Sequence, residues 1–246
     1  MLNEDHWFIT PNSLQISVDG KAFTIRLNRP QKFNALTVDM YKGIEAALKA
    51  SNSDSSTSVT VITGTGDFFC SGNDLSNFAK AASASKAEIK EMAETAAVVL
   101  KDYIQASQLL TSKLTHLGLP AASICKHIGR FMRFIYAFAY IDHEKPLLCL
   151  INGPAIGIAV TVLPLFDYVL ATDKCTFHTP FATLGQSPEG ASSYTFPLLM
   201  GQLRASEVLT LNKKLTAQQA FDRGLVNEVN EMLCFVRTPT YALFLR

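Results

Sequence analysis

The sequence has no surplus of either charge sign. Its 22 Lys and Arg offset 21 Asp and Glu, leaving a formal charge of +1. No long-range field favours nucleic acid or an anionic membrane surface, so an anionic ligand has to be held by local groups. Cysteine is sparse and unpatterned. Cys70, Cys125, Cys149, Cys175 and Cys234 form no CxxC pair, their number is odd, and most lie in apolar runs. No metal site is expected from them, and they fit buried thiols in a reducing compartment. An unbroken apolar stretch of membrane-spanning length is also missing. The longest run, 147–170, is interrupted by Asn152, Gly153, Pro154, Gly157, Pro164 and Asp167. It reads as buried strand, turn and buried helix, with no membrane span. MLNEDHWFITPN at the start carries two acids and no basic apolar leader, and the chain closes on YALFLR. Neither end is read as a targeting signal.

What is present is a large apolar fraction, 48% of 246 residues, with 17% charged. That supports a sizeable core, and 1–246 is read as a single domain with its core in 14–230. Leu14–Val18 and Ala22–Leu27 alternate about an Asp19-Gly20 turn, which predicts a hairpin. Thr37 is placed as an N-cap for a helix carrying Met40, Ile44, Ala47 and Leu48. Ser51–Ser58 reads as a polar loop. Val59–Thr63 is β-branched throughout and predicts a strand buried on both faces. Helical spacing recurs over 86–104, Leu203–Leu211 and Thr216–Arg223, and Ile156–Leu165 is also read as helix. Leu147–Ile151, Tyr168–Ala171 and Thr176–His178 read as strands. Strands alternating with helices, with glycines at strand ends, indicate an α/β fold.

Three glycine-bearing segments are candidates for chemistry. Cys70-Ser71-Gly72-Asn73-Asp74-Leu75 follows a buried strand. Its glycine lets backbone approach a ligand and turns N–H groups outward. The plainer reading is a strand-to-helix loop with Asp74 as a cap. Asn152-Gly153-Pro154-Ala155-Ile156-Gly157-Ile158 opens an apolar helix, whose free N–H groups favour negative charge. A tight turn held by Asn152 reads equally well. Leu184-Gly185-Gln186-Ser187-Pro188-Glu189-Gly190 places a glutamate between apolar stretches. Desolvation there would raise its pKa and suit a general base, whereas a solvated Glu189 would act only as a helix cap. His178 reads as a packed strand residue. Ser187 and Ser192 have no His–Asp context for a nucleophilic triad.

Together with Asn28-Arg29-Pro30-Gln31-Lys32-Phe33-Asn34-Ala35-Leu36, these segments, in this order, resemble the crotonase (enoyl-CoA hydratase/isomerase) superfamily. The resemblance covers about residues 14–105 and 141–230. It implies an α/β spiral of ββα units and an acyl-CoA thioester bound between two loops. The thioester oxygen would be held by the backbone N–H groups of Asn73 and Ile158. Ser71, Gly72, Asn73, Asp74 and Leu75 would line the CoA arm with Gly157, and Lys32 and Ala35 would contact its nucleotide end. The paired glutamates of hydratases fall here on Thr161 and Phe181, so the water-activating pair is missing. Glu189 matches the single glutamate of peroxisomal-type Δ3,Δ2-enoyl-CoA isomerases. Such an enzyme needs no metal or redox cofactor, since CoA belongs to the substrate.

The resemblance further implies a homotrimer in intact relatives and a peroxisomal or mitochondrial compartment. Two departures stand out. Residues 105–140 form an excess over the family pattern, and the helices expected after Val226 are read as truncated. Two rivals remain beside the isomerase. One is a crotonase-fold module that binds acyl-CoA or protein without catalysis, as in chromodomain Y-like corepressors. The other is a dienoyl-CoA isomerase or hydratase.

Overall fold

A computed structural model of the chain describes residues 13–77 and 140–231. The expected helix over 86–104, nearly all of the 105–140 excess and the segment after 231 lie outside the described residues. The hairpin forms as its alternation dictates. β1 (Leu14–Asp19) and β2 (Ala22–Leu27) pair antiparallel, Asp19 opposite Ala22, about a two-residue turn with Gly20 at φ 57°. β2 then pairs in parallel with β3 (Val59–Gly64), and β3 with β4 (Leu147–Ile151). β4 pairs with β6 (Tyr168–Thr172), and β6 with β9 (Glu228–Asn230). The six strands make one sheet in the order β1-β2-β3-β4-β6-β9. All six residues of β3 are buried, as expected for a β-branched central strand flanked on both sides.

A smaller second sheet sets the site. β5 (Ala155–Ile156) lies parallel to β7 (Thr176–His178), and β8 (Leu215–Thr216) runs antiparallel to β7. Helix α1 (Val38–Ser53) begins at Thr37, whose hydroxyl accepts from Met40 N–H, and it buries Met40, Ile44, Ala47 and Leu48. The helix runs further than the polar composition of Ser51–Ser58 indicates. Ser51 is buried within it, sharing a 2.6 Å hydroxyl contact with Thr60 of β3. A polar side chain with a partner across the core is no signal of a loop.

The continuous helix expected over Ile156–Leu165 does not form. Ile156 belongs to β5, α2 is one short turn (Ile158–Thr161), and Leu163–Leu165 is a 3-10 turn with Pro164 in its opening positions. Two backbone facts decide this. Gly157 adopts φ 61°, ψ −123°, which no helix contains, and Pro164 has no N–H to donate. Beyond β7, helix α3 (Ser192–Met200) accommodates Pro197, and α4 (Gln202–Leu209) follows after Gly201. Helix α5 (Ala217–Asp222) starts with a full capping box between Thr216 and Gln219. The buried core joins Phe23, Ile25, Met40, Ile62, Leu147, Ile151, Phe177 and Phe196 across both sheets.

Candidate functional site

The segment Cys70–Asp74 is an extended ribbon clamped on two sides. On one side Ser71 N–H donates to Phe33 O, Leu36 N–H to Gly72 O and Asp74 N–H to Leu36 O. On the other, Ile156 N–H donates to Cys70 O, and Cys70 pairs with Ala155. Each clamp has its own support. Asn34, fully buried at φ 55°, donates through Nδ2 to Thr65 O and Phe68 O, while Oδ1 accepts from Arg29 N–H. Asn152 Oδ1 accepts from Gly64 N–H, and its Nδ2 donates to Gly66 O at 2.6 Å. Asn152 therefore fixes the turn. The Cys70 thiol, pushed up to about 12 by burial, is inert packing beneath the ribbon.

The direction of two peptide groups follows from their neighbours. In a trans peptide the C=O and the N–H point opposite ways. Gly72 O is bonded to Leu36 N–H, so the Asn73 N–H of the same peptide points away from Leu36. Gly157 O accepts from Val160 and Thr161 N–H, so the Ile158 N–H points out of the start of α2. Neither N–H meets an acceptor among the described residues. Both peptides follow a glycine in a left-handed conformation, Gly72 at φ 90° and Gly157 at φ 61°. A side chain at Gly72 would also have its Cβ 2.9 Å from Ile156 O. Glycine is required there by close approach as well as by torsion.

Glu189 sits just before α3. Its carbonyl accepts from Ser192 N–H at 3.2 Å and from the Ser192 hydroxyl at 2.7 Å. That buried serine is thus an anchor for the glutamate's backbone. The half-buried carboxyl is raised above the ordinary glutamate range by desolvation. Its Oε1 lies 3.5 Å from Asn73 Nδ2, and Asn73 Oδ1 accepts from the Tyr41 hydroxyl on α1. Glu189 is therefore a carboxylate inside the site, and the solvated-cap reading is set aside.

One cleft of about 760 Å³ brings these groups together. Each residue that the resemblance assigned to the catalytic or CoA-binding site lines it: Glu189, Asn73, Ile158, Lys32, Ala35, Ser71, Gly72, Asp74, Leu75 and Gly157. Asp74 stands just before the helical turn that opens with Ser76 and Asn77, in the capping place its plainer reading gave it. It accepts from Ser76 N–H at 2.8 Å and pairs with Arg29, and these bonds, Ser76 first, hold its carboxyl down at about 2. Arg29 also donates to Ala35 O at 3.0 Å, so one guanidinium ties two walls of the cleft. Thr161 is buried, with its hydroxyl donating to Ile158 O, and Phe181 is an apolar wall. No second carboxylate stands at either position. His178 is engaged at 3.2 Å with Asn212, and its carbonyl accepts from Gly157 N–H. Among the described residues no group of His, Cys, Asp and Glu could hold a metal ion, and no helix is long and apolar enough to cross a membrane.

Sequence reasoning missed Tyr41, the apolar wall of Pro180, Phe181 and Leu184, and the Arg29–Asp74 pair. Only Tyr41 left a trace: a hydroxyl-bearing aromatic one position from the buried Met40 of α1.

Comparison with known proteins adds three findings. The family described as enoyl-CoA hydratase/isomerase matches residues 22–119 and again 137–236, leaving 120–136 between the matches. Enoyl-CoA delta isomerase 2 of Rattus norvegicus is 41% identical, over 92% of this chain and 50% of its own length. Enoyl-CoA delta isomerase 3, peroxisomal, of Mus musculus is 41% identical over 83% of this chain and 53% of its own. The chain thus spans about half the length of the curated relatives it matches. Among solved structures, an enoyl-CoA hydratase/isomerase from Pseudoalteromonas atlantica T6c superposes with a TM-score of 0.67 at 28% identity, over 92% of this chain and 72% of that one. With two matches spread along its length and the same fold in a solved relative, this chain belongs to the enoyl-CoA hydratase/isomerase family, the crotonase superfamily.

Proposed function

We propose that this chain carries the catalytic site of a Δ3,Δ2-enoyl-CoA isomerase, with Glu189 as its proton-shuttling base. The observation that carries this reading is one desolvated carboxyl in the same cleft as two residues whose backbone N–H groups meet no acceptor among the described residues, with no second acid at Thr161 or Phe181. Identity to two enoyl-CoA delta isomerases supports it. In the proposed reaction Glu189 takes a proton from C2 of a 3-enoyl-CoA. The C2–H electrons form the C2=C3 bond, and the C3=C4 pair is released as charge delocalised between C4 and the thioester oxygen. The same carboxylic acid then returns the proton to C4. Protons alone move, so the reaction calls for no redox group or metal.

The Asn73 and Ile158 N–H groups would hold the thioester oxygen as charge develops on it. Removal of one such donor typically costs about 3–4 kcal/mol in the transition state. Ser71, Gly72, Asp74, Leu75 and Gly157 would line the CoA arm, with Lys32 and Ala35 at its nucleotide end. A hydratase would need a second carboxylate to activate water. A binding module without catalysis would gain nothing from keeping a desolvated carboxyl in its cleft. The peroxisome named for the mouse relative is proposed as compartment here too, and a homotrimer as the assembly, both from family likeness.

The test is Glu189→Gln assayed on trans-3-hexenoyl-CoA. CoA-ester binding by calorimetry should persist, while formation of the conjugated 2-enoyl product falls roughly 100-fold or more. An undiminished rate in that variant removes Glu189 as the base.

A further inference from the structure

We propose that the Asn73 side chain, oriented by the Tyr41 hydroxyl, is the positioning residue of the Glu189 base, so that α1 sets the state of the carboxylate. This rests on the isomerase reading for its kinetic consequence and on geometry alone for its chemical one. Asn73 offers two separate groups. Its backbone N–H points away from Leu36. Its side-chain amide lies between Tyr41 and Glu189, with Oδ1 accepting from the Tyr41 hydroxyl and Nδ2 3.5 Å from Glu189 Oε1.

An amide is not symmetric, and the network decides which end goes where. Turned over, the amide would set Oδ1 against a carboxylate oxygen, two acceptors face to face. Tyr41 therefore presents the NH₂ end to the base. A separation of 3.5 Å is long, as such bonds commonly are before substrate is bound, and it shortens as the site fills. With Oε1 held by Asn73, Oε2 is left to take the proton and give it back.

The donor also opposes burial. Desolvation raises the Glu189 carboxyl, whereas an N–H directed at the ionised form stabilises it. The charged groups on the surrounding walls are Lys32, from the turn before α1, and Asp74, which is paired with Arg29. Of the titratable groups on α1, which are Asp39, Tyr41, Lys42, Glu45 and Lys49, Tyr41 is the one bonded to Asn73, and Tyr194 is the titratable group on α3. Burial, and none of these, accounts for the raised carboxyl.

The experiment compares the full chain with Asn73→Ala, Asn73→Asp and Tyr41→Phe. Asn73→Asp is nearly isosteric and Tyr41→Phe removes one oxygen, so loss of folding does not mask the result. The Glu189 pKa is read by carbon NMR of labelled glutamate, with Glu189→Gln assigning the resonance. The pH profile of kcat/KM on trans-3-hexenoyl-CoA is the second readout. Removing the donor should move both the pKa and the acid limb upward, by about one pH unit in Asn73→Ala. The shift should be larger in Asn73→Asp, where a second anion faces the base, and smaller but of the same sign in Tyr41→Phe. In each variant kcat should fall about tenfold while KM holds. A Glu189 pKa that stays put in both Asn73 variants overturns the proposal. An inactive parent chain would count against the isomerase reading only, because the NMR titration still decides this one.

Discussion

A single carboxyl concentrates the conflict between stability and function in this site. Burial penalises the charged form of Glu189, so its folded pKa lies above the unfolded value. The folded chain then binds that proton more tightly than the unfolded chain. The resulting stability is fully present below the unfolded pKa and is lost as pH rises through the folded one. Glu189→Gln removes the titration while keeping the shape. It should therefore be more stable than the parent at pH 8, by at most about 1 kcal/mol, and no more stable at pH 4. Thermal melts at the two pH values check this, and a gain of equal size at both would show that Glu189 is not strained by desolvation. Asp74 shows the opposite case. Ser76 and Arg29 hold its carboxyl down at about 2, so its contribution is present above the unfolded value and lost only as pH falls toward the folded one.

At the scale of elements, the site is two segments, each with a glycine of positive φ, that line one cleft. Gly72 and Gly157 do this in different surroundings. Both have positive φ, but a Cβ at Gly72 would stand 2.9 Å from Ile156 O, whereas nothing lies within 4 Å at Gly157. Gly157→Ala should cost only backbone strain, about 1–3 kcal/mol, and Gly72→Ala should cost more because the β5 contact must also give way. Both should lower kcat by roughly 100-fold, since each re-aims a donor peptide. Urea melts together with initial rates separate the two effects. Equal stability losses would mean that the ribbon clamp is looser than the structure indicates. Several elements were legible because their pattern was local: the hairpin about Gly20, the Thr37 cap and the buried strand β3. Others were not. α3 hides behind its interior Pro197, β8 and β9 are two and three residues long, and the run from Ile156 is divided among a strand, a turn of helix and a 3-10 turn. Short elements exist through their neighbours and leave no period to read.

Across the whole molecule, the second sheet links the core to the chemistry. Phe177 of β7 is fully buried, and the next residue's carbonyl accepts the Gly157 N–H that sets the corner before Ile158. Phe177→Ala should lower the unfolding free energy by about 3–5 kcal/mol. It should also cost activity under conditions where the fold persists, because the His178 acceptor shifts. Denaturant titration with an unchanged m-value, beside rates measured well below the midpoint, tests both parts. A loss under about 1 kcal/mol would place Phe177 outside the shared core.

The sequence by itself determined the alternation of strands and helices, the glycines that permit left-handed corners at 72 and 157, and a lone glutamate between apolar stretches. These are local properties, fixed by side-chain period and backbone torsion. Only the tertiary structure decided that Tyr41 meets Asn73 across 32 positions and that Asn73 meets Glu189 across 116. Such contacts depend on where packed elements bring side-chain ends, to within an ångström. No spacing along the chain encodes that distance.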